Sequence, residues 1–295
     1  MSAPAVPTER IAGAPISWGV CEVPGWGPML EPEVVFADMS TLGLRATEIG
    51  PAGSLPADPA ALAERLGRHG LRPIAAFLPV VFAPAASVSE RDRTLEAAAT
   101  LAAASGEVLM VAPISDPAWS SRGIGSERAA QPLRDGLEEL ATAIAELGVT
   151  MALHPHVGSL VEDAADIAAV AAADIGWCLD TGHLLIGGTD PLEFAARFGP
   201  RIVHVHLKDV DAAIAADVAR GDTSLRDGTE AGLFRPLGEG DVDVAAVLDE
   251  LTRAGYRGWF TLEQDAVLAD PDPSGPHADA ESSLRFIRSL GRRLH

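Results

Sequence analysis

The stretch Ile202-Val-His-Val-His-Leu-Lys-Asp209 decides the fold. Apolar residues alternate with His204, His206 and Lys208, the period-two pattern of a β-strand that sends all three polar side chains to one side. Two earlier stretches end in the same manner. Thr150–His156 reads as a strand closing on His154 and His156, and Ile175–Leu179 as one closing on Asp180, with His183 three residues further on. His154, Asp180 and His206 are separated by 26 residues and again by 26. That interval fits one βα unit, so the three arrive at one level on consecutive parallel strands.

The same alternation extends outward. Strands are expected at about Ile11–Trp18, Ala46–Ile49, Pro73–Phe82, Val108–Ile114 and Trp259–Glu263. The helices between and after the strands fall near Pro32–Leu42, Pro59–His69, Glu90–Ala104, Leu133–Leu147, Leu160–Ala172, Pro191–Phe198, Val242–Ala254 and Ala278–Leu290. Eight strands and eight helices in strict alternation, with no Gly-rich dinucleotide fingerprint, make a (β/α)₈ TIM barrel rather than an open doubly wound sheet. The expectation is a single domain over residues 1–295, the barrel running from about 10 to 291. Asp190-Pro191 is a helix start, and Gly148 and Gly255 stand where left-handed C-caps are expected. The polar, glycine-containing segment Asp211–Gly240 is too long for a plain βα connection and reads as an active-site loop or lid.

Composition bounds the function. The net charge of −20 repels phosphate backbones, and no basic stripe offsets it, which argues against nucleic acid as a partner. Two cysteines, Cys21 and Cys178, are too few for a disulfide framework or a thiolate zinc site. No apolar run approaches the roughly 20 residues of a membrane span. The first residues lack the blocks of a signal peptide, so a cytoplasmic protein is expected, with a homo-oligomer allowed. Asn is absent and lysine occurs once. A chain that uses arginine for its surface cations keeps Lys208 where arginine does not serve.

Five of the eight histidines lie between His154 and His206. One histidine or one carboxylate at a strand end is usually structural. Here two imidazoles and two carboxylates, His154, Asp180, His206 and Glu263, reach the C-terminal mouth at matched depth. They form a mixed nitrogen and oxygen site suited to Mn²⁺, Co²⁺, Fe²⁺, Mg²⁺ or Zn²⁺. His204 points the same way one layer deeper and supports His206 from behind. His69, His277 and His295 read as solvent-exposed residues away from the site.

The segments ISWG (16–19), TEIG (47–50), LHPHVG (153–158), CLDTGH (178–183), HVHLKD (204–209), PLGEGDVD (236–243) and LEQD (262–265) resemble the xylose isomerase-like barrel superfamily. That group includes ketose epimerases, hydroxypyruvate isomerases, endonuclease IV and inosose dehydratases. HPHVG with CLDTGHLLIGG and HVHLKD is most similar to the inosose dehydratase branch. The resemblance implies a metal held by His154, Asp180, His206 and Glu263. One residue departs from the epimerase pattern: a glutamate belongs at the strand-five position, where this chain has His154. That departure weakens a two-glutamate proton shuttle and leaves metal binding intact.

The resulting expectation is a metal-dependent dehydratase acting on an inosose-like keto-cyclitol through an enediolate; the alternative is an isomerase or epimerase of a ketose or cyclitol. The partner is a small polyol or keto-sugar. Glu263 is expected both to ligate the metal and to meet the substrate, and His183 and His156 to serve as base or hydroxyl partner. Lys208 is expected to hold an enolate oxygen or protonate the leaving hydroxyl. Glu48 is expected to bind substrate hydroxyls, Trp18 and Phe77 to wall a ring face, and Glu162 to contact substrate from the turn after HPHVG.

Overall fold

The computed structural model describes residues 8–292 apart from 22, 24, 52–57, 83–84 and 126. Eight parallel strands close on themselves: β1 (Ile11–Gly13), β2 (Ala46–Ile49), β3 (Arg72–Val81), β4 (Val108–Ile114), β5 (Thr150–Leu153), β6 (Gly176–Asp180), β7 (Ile202–Leu207) and β8 (Phe260–Leu262). Each pairs with the next and β8 returns to β1, so the expected (β/α)₈ barrel is the fold. Asp190 caps Pro191–Phe198 by accepting from the Leu192 N–H, and Gly148 and Gly255 are left-handed at φ 80° and 84°. No helix among the described residues is long and apolar enough to cross a membrane.

Three strands are shorter than expected; β8 loses one residue at each end, and in the two larger losses proline is the reason. β1 stops at Gly13, and Pro15 opens a 3₁₀ turn through Trp18. β5 stops at Leu153: the His154 N–H still bonds to Val111, but Pro155 has no N–H to continue the ladder. The His156 N–H then turns to the Val161 carbonyl, swinging His156 over the barrel mouth.

The segment Asp211–Gly240 is not a plain loop. It folds into helices Ala212–Arg220 and Leu225–Glu230 and returns through a short antiparallel ladder of Phe234–Arg235 with Asp209–Val210. The residues that read as loop polarity are helix caps: Asp211 accepts from the N–H of Ala213 and Ile214, and Ser224 from that of Asp227. Ala215, Val218 and Leu233 go to the core.

Inside the barrel the filling is mostly small, with Ala12, Ala46, Ala152 and Cys178 packed around Ile74 and Met110. That leaves room above them for the polar residues at the strand ends. The larger aliphatic core lies between the strands and the outer helices.

Candidate metal centre

Asp180 ends β6 and caps the short helix Thr181–Ile186. Its Oδ1 accepts from the backbone N–H of Gly182 and of His183, both at 2.9 Å. Oδ2 is thereby turned to the barrel axis, 3.2 Å from His206 Nδ1 and 3.4 Å from His154 Nε2. His206 Nδ1 also lies 3.3 Å from His154 Nε2 and 2.5 Å from Glu263 Oε2. The four expected ligands converge around one imidazole nitrogen.

Glu48 lines the cavity and has a second role that was not expected. Its Oε1 meets His204 Nε2 at 2.7 Å and His206 Nε2 at 2.8 Å. A carboxylate only accepts, so both Nε2 atoms carry hydrogen and the Nδ1 of His206 faces the cluster. There it meets two carboxylate oxygens and another imidazole nitrogen, and Glu263 Oε2 is buried without a hydrogen-bond partner. Such a set fits a cation at its centre. A proton on Nδ1 serves one contact at a time; a divalent ion between Asp180, His206 and Glu263, whose ligand atoms all lie within 4.8 Å of one another, would serve several, with His154 beside them, and the mixed N/O set suits one. Burial opposes charge on His206, yet Glu263 and Glu48 outweigh it and hold the imidazole well above its usual pKa. Burial likewise opposes charge on Asp180, but Lys208 and the surrounding imidazoles hold that carboxyl well below its usual range. His204, also bonded to Thr261, lies below the set and shares Glu48 with His206.

Lys208 is 1% exposed, among the largest fully buried side chains. Its Nζ sits 3.2 Å from Asp180 Oδ2, 3.1 Å from Glu263 Oε1 and 3.0 Å from Asp265 Oδ1, over the ring of Phe234. Burial lowers a lysine pKa, but three carboxylates overcome it and the ammonium stays charged. The Thr181 hydroxyl fixes its backbone, donating to the Lys208 carbonyl at 2.6 Å and accepting from its N–H at 2.8 Å. Gly182 permits this fit, because a Cβ there would lie 2.8 Å from Lys208 Cβ.

A cavity of about 600 Å³ opens above the cluster, with Glu48, His154, His206 and Glu263 at its polar end. His156 and Phe77 line it too. The His156 Nδ1–H donates to the Val157 carbonyl at 2.8 Å, which leaves Nε2 with its lone pair. Burial, with His154 and Lys208 nearby, keeps that ring neutral. Phe77 stands edge-on to His154 and stacked on His156, each at 5.5 Å between centroids.

Three expected placements are not found. His183 does not overhang the mouth: it is buried beneath His156, ring centroids 3.8 Å apart, with its Nδ1 accepting weakly from the Val157 N–H. Trp18 follows the Pro15 turn into the core, where its Nε1–H donates to Asp38 Oδ2 at 2.7 Å. Glu162 ties loops together, bound by Arg122 and by the Gly158 N–H, and does not line the cavity. His69 and His277 lie away from the site but are not free in solvent, being paired with Glu33 and Asp38; His295 lies outside the described residues.

Other wall residues escaped the sequence reading. Asp265 closes the LEQD segment, lines the cavity and pairs with Lys208; burial pushes its carboxyl up to about 6 despite that lysine. Trp26 and Trp119 come from loops after β1 and β4, where no periodicity marks them. Their only signal was two tryptophans in loops at the catalytic end of a barrel.

A family model described as xylose isomerase-like TIM barrel matches residues 36–290. The inosose dehydratase of Geobacillus kaustophilus (strain HTA426) is 30% identical over 97% of this chain and 96% of its own. The rhizopine catabolism protein MocC of Rhizobium meliloti is 31% identical over 97% and 90%. Among solved structures, the IOLI protein with a bound zinc atom superposes with a TM-score of 0.69 at 16% identity, covering 97% of this chain and 99% of that one. The chain belongs to the xylose isomerase-like TIM barrel family.

Proposed function

We propose that the protein is a metal-dependent dehydratase, a carbon–oxygen lyase, acting on an inosose-like keto-cyclitol. The observation that carries the reading is the convergence of His154, Asp180, His206 and Glu263 on one point at the polar end of a cavity. Similarity to inosose dehydratases along nearly the full chain supports the choice of reaction. A divalent ion held by these four residues, Mn²⁺ or Co²⁺ foremost and Mg²⁺, Fe²⁺ or Zn²⁺ also suited, would polarise the ketone and acidify the neighbouring C–H.

Dehydration then needs a base for the α-proton and an acid for the departing β-hydroxyl. His156 offers a neutral ring, a free Nε2 lone pair and a place on the cavity wall. Its Nδ1–H bond to Val157 holds the ring against rotation. Asp265 lies on the wall and contacts Lys208; in this reading it passes a proton to the leaving hydroxyl. Lys208 itself does not reach the wall, so it acts through Asp265 and Glu263. His183 packs against His156 and sets its orientation.

The test is an anaerobic assay of protein loaded with Mn²⁺ or Co²⁺ against scyllo-inosose, following the ultraviolet absorbance of the enolised dione. A chromophore that chelator abolishes supports the dehydratase. Deuterium uptake from solvent into the substrate with no chromophore replaces it with an isomerase or epimerase. Silence in both refutes the substrate class.

A further inference from the structure

Beyond its polar end the cavity is unlike a sugar site. The wall above the ligands is built largely from apolar residues, Trp26, Ile49, Val81, Ile114, Trp119 and Leu225 among them. Glu90 and Arg93 also line the cavity and are paired with each other: Arg93 bonds Glu90 and the Pro79 carbonyl, while Glu90 accepts from the Val81 N–H. An inosose has twelve non-hydrogen atoms. Even at the ~30 Å³ that a water molecule takes in the liquid, twelve atoms fill roughly 360 Å³. The cavity holds about 600 Å³, and the space left over lies against apolar walls. A bare polyol would leave hydroxyls facing those walls with no partner, which is costly.

Trp119 is set in place by its backbone. It sits at φ 55°, one of two non-glycine residues at positive φ among those described. Asp116 enforces this turn. Its carbonyl accepts from the Trp119 N–H at 2.9 Å, and its carboxylate from the N–H of Ala118 at 2.8 Å and of Ser120 at 3.3 Å. The conformation lays the indole against His156, centroids 5.1 Å apart. A bulky residue held in an unfavoured conformation beside a reacting group points to a role for its ring. The Arg226 guanidinium donates to the Gly25 carbonyl at 2.8 Å. That bond ties the helix carrying Leu225 to the loop carrying Trp26, so this part of the wall is also fixed.

Resting on the keto-cyclitol reading above, we infer that the outer half of the cavity is a subsite for an apolar substituent, and that Trp119 is the residue that reads it. The substrate class is then a keto-cyclitol bearing an ether-linked apolar group, polar ring toward the metal ligands and substituent against Trp26, Trp119 and Leu225. The substituent belongs on a carbon whose oxygen is neither the leaving group nor a neighbour of the ketone, a condition that the carbon opposite the ketone meets.

The experiment compares scyllo-inosose with its mono-O-benzyl ether at that carbon, on metal-loaded wild type, Trp119→Ala and Trp119→Phe. Wild type should favour the ether by about tenfold or more in kcat/KM, from the apolar area that the ring buries. Trp119→Phe should keep most of that preference and Trp119→Ala should lose it. Turnover of scyllo-inosose with equal or poorer use of the ether overturns the subsite and leaves the dehydratase standing. If neither compound reacts, the function reading falls, and tryptophan fluorescence titration with the two compounds still decides the subsite. Tighter binding of the ether by wild type but not by Trp119→Ala sustains it; equal binding refutes it.

Discussion

Glu48 holds Nε2 of His206 at 2.8 Å, and this contact decides which imidazole nitrogen faces the barrel axis. The same oxygen binds His204 one layer deeper, so one carboxylate sets two rings. Glu48→Gln keeps the size and one acceptor but removes the charge that makes His206 a better donor. Metal affinity should fall by about 10–100-fold, as changes behind a ligand typically do. Isothermal titration with Co²⁺ or Zn²⁺ reads this directly. An unchanged affinity with a raised KM would return Glu48 to the substrate-binding role that its strand-end position suggested.

Lys208 balances three carboxylates within 3.2 Å of its Nζ. Lys208→Met leaves them buried without their cation, and breaking a buried ion cluster costs about 3–5 kcal/mol. The metal-free variant should melt well below wild type. Saturating Mn²⁺ should raise its Tm more than it raises that of wild type, because the ion then supplies the only positive charge there. Lys208→Arg should not rescue: the guanidinium is wider than a pocket already closed by Gly182. Equal metal-induced shifts in Lys208→Met and wild type would mean that the lysine does not share charge with the metal site.

Metal entry and proton release are linked. Burial disfavours charge on both imidazoles. It lowers the pKa of His154, whereas Glu263 and Glu48 reverse it at His206. At neutral pH the metal-free site therefore carries a proton on His206 and none on His154. A raised pKa means that protons compete with metal up to a higher pH. The affinity should climb by about tenfold per pH unit for the one proton displaced, then level off above the His206 pKa. Calorimetry in buffers of different ionisation enthalpy should count about one proton released per ion near pH 7. A pH-independent affinity would show that His206 is not a ligand.

The barrel was legible because its signals are periodic. The bounds of β2, β4 and β7 follow from the apolar pattern alone. His154, Asp180 and His206 were legible because one βα interval repeats, and Glu263 because LEQD ends the last strand. What stayed hidden depends on bonds between distant residues. Trp18 leaves the mouth because Pro15 ends a strand early and Asp38 captures its indole. Glu162 is claimed by Arg122, 40 residues away, and Glu48 by two histidines over 150 residues away. Trp26 and Trp119 sit in loops whose course no hydrophobic period sets, and Trp119 needs the turn that Asp116 enforces.

Two glycines separate close approach from mere flexibility. A Cβ on Gly182 would lie 2.8 Å from Lys208 Cβ and 3.1 Å from its Cδ, and Thr181 pins that lysine's backbone. Gly182→Ala must therefore displace the Lys208 stem or the cap that Asp180 makes. A loss of about 1–3 kcal/mol is expected from such overpacking. Because Nζ then moves off Asp265, kcat should fall more than KM rises. Gly67 ends the helix Pro59–Gly67 with nothing within 4 Å of an added Cβ and no positive φ. Gly67→Ala should be neutral or stabilising, by up to ~1 kcal/mol from the smaller entropy of the unfolded chain. Differential scanning fluorimetry and steady-state kinetics on the pair test the argument. If both alanines behave alike, the packing of Gly182 on Lys208 does not constrain the site.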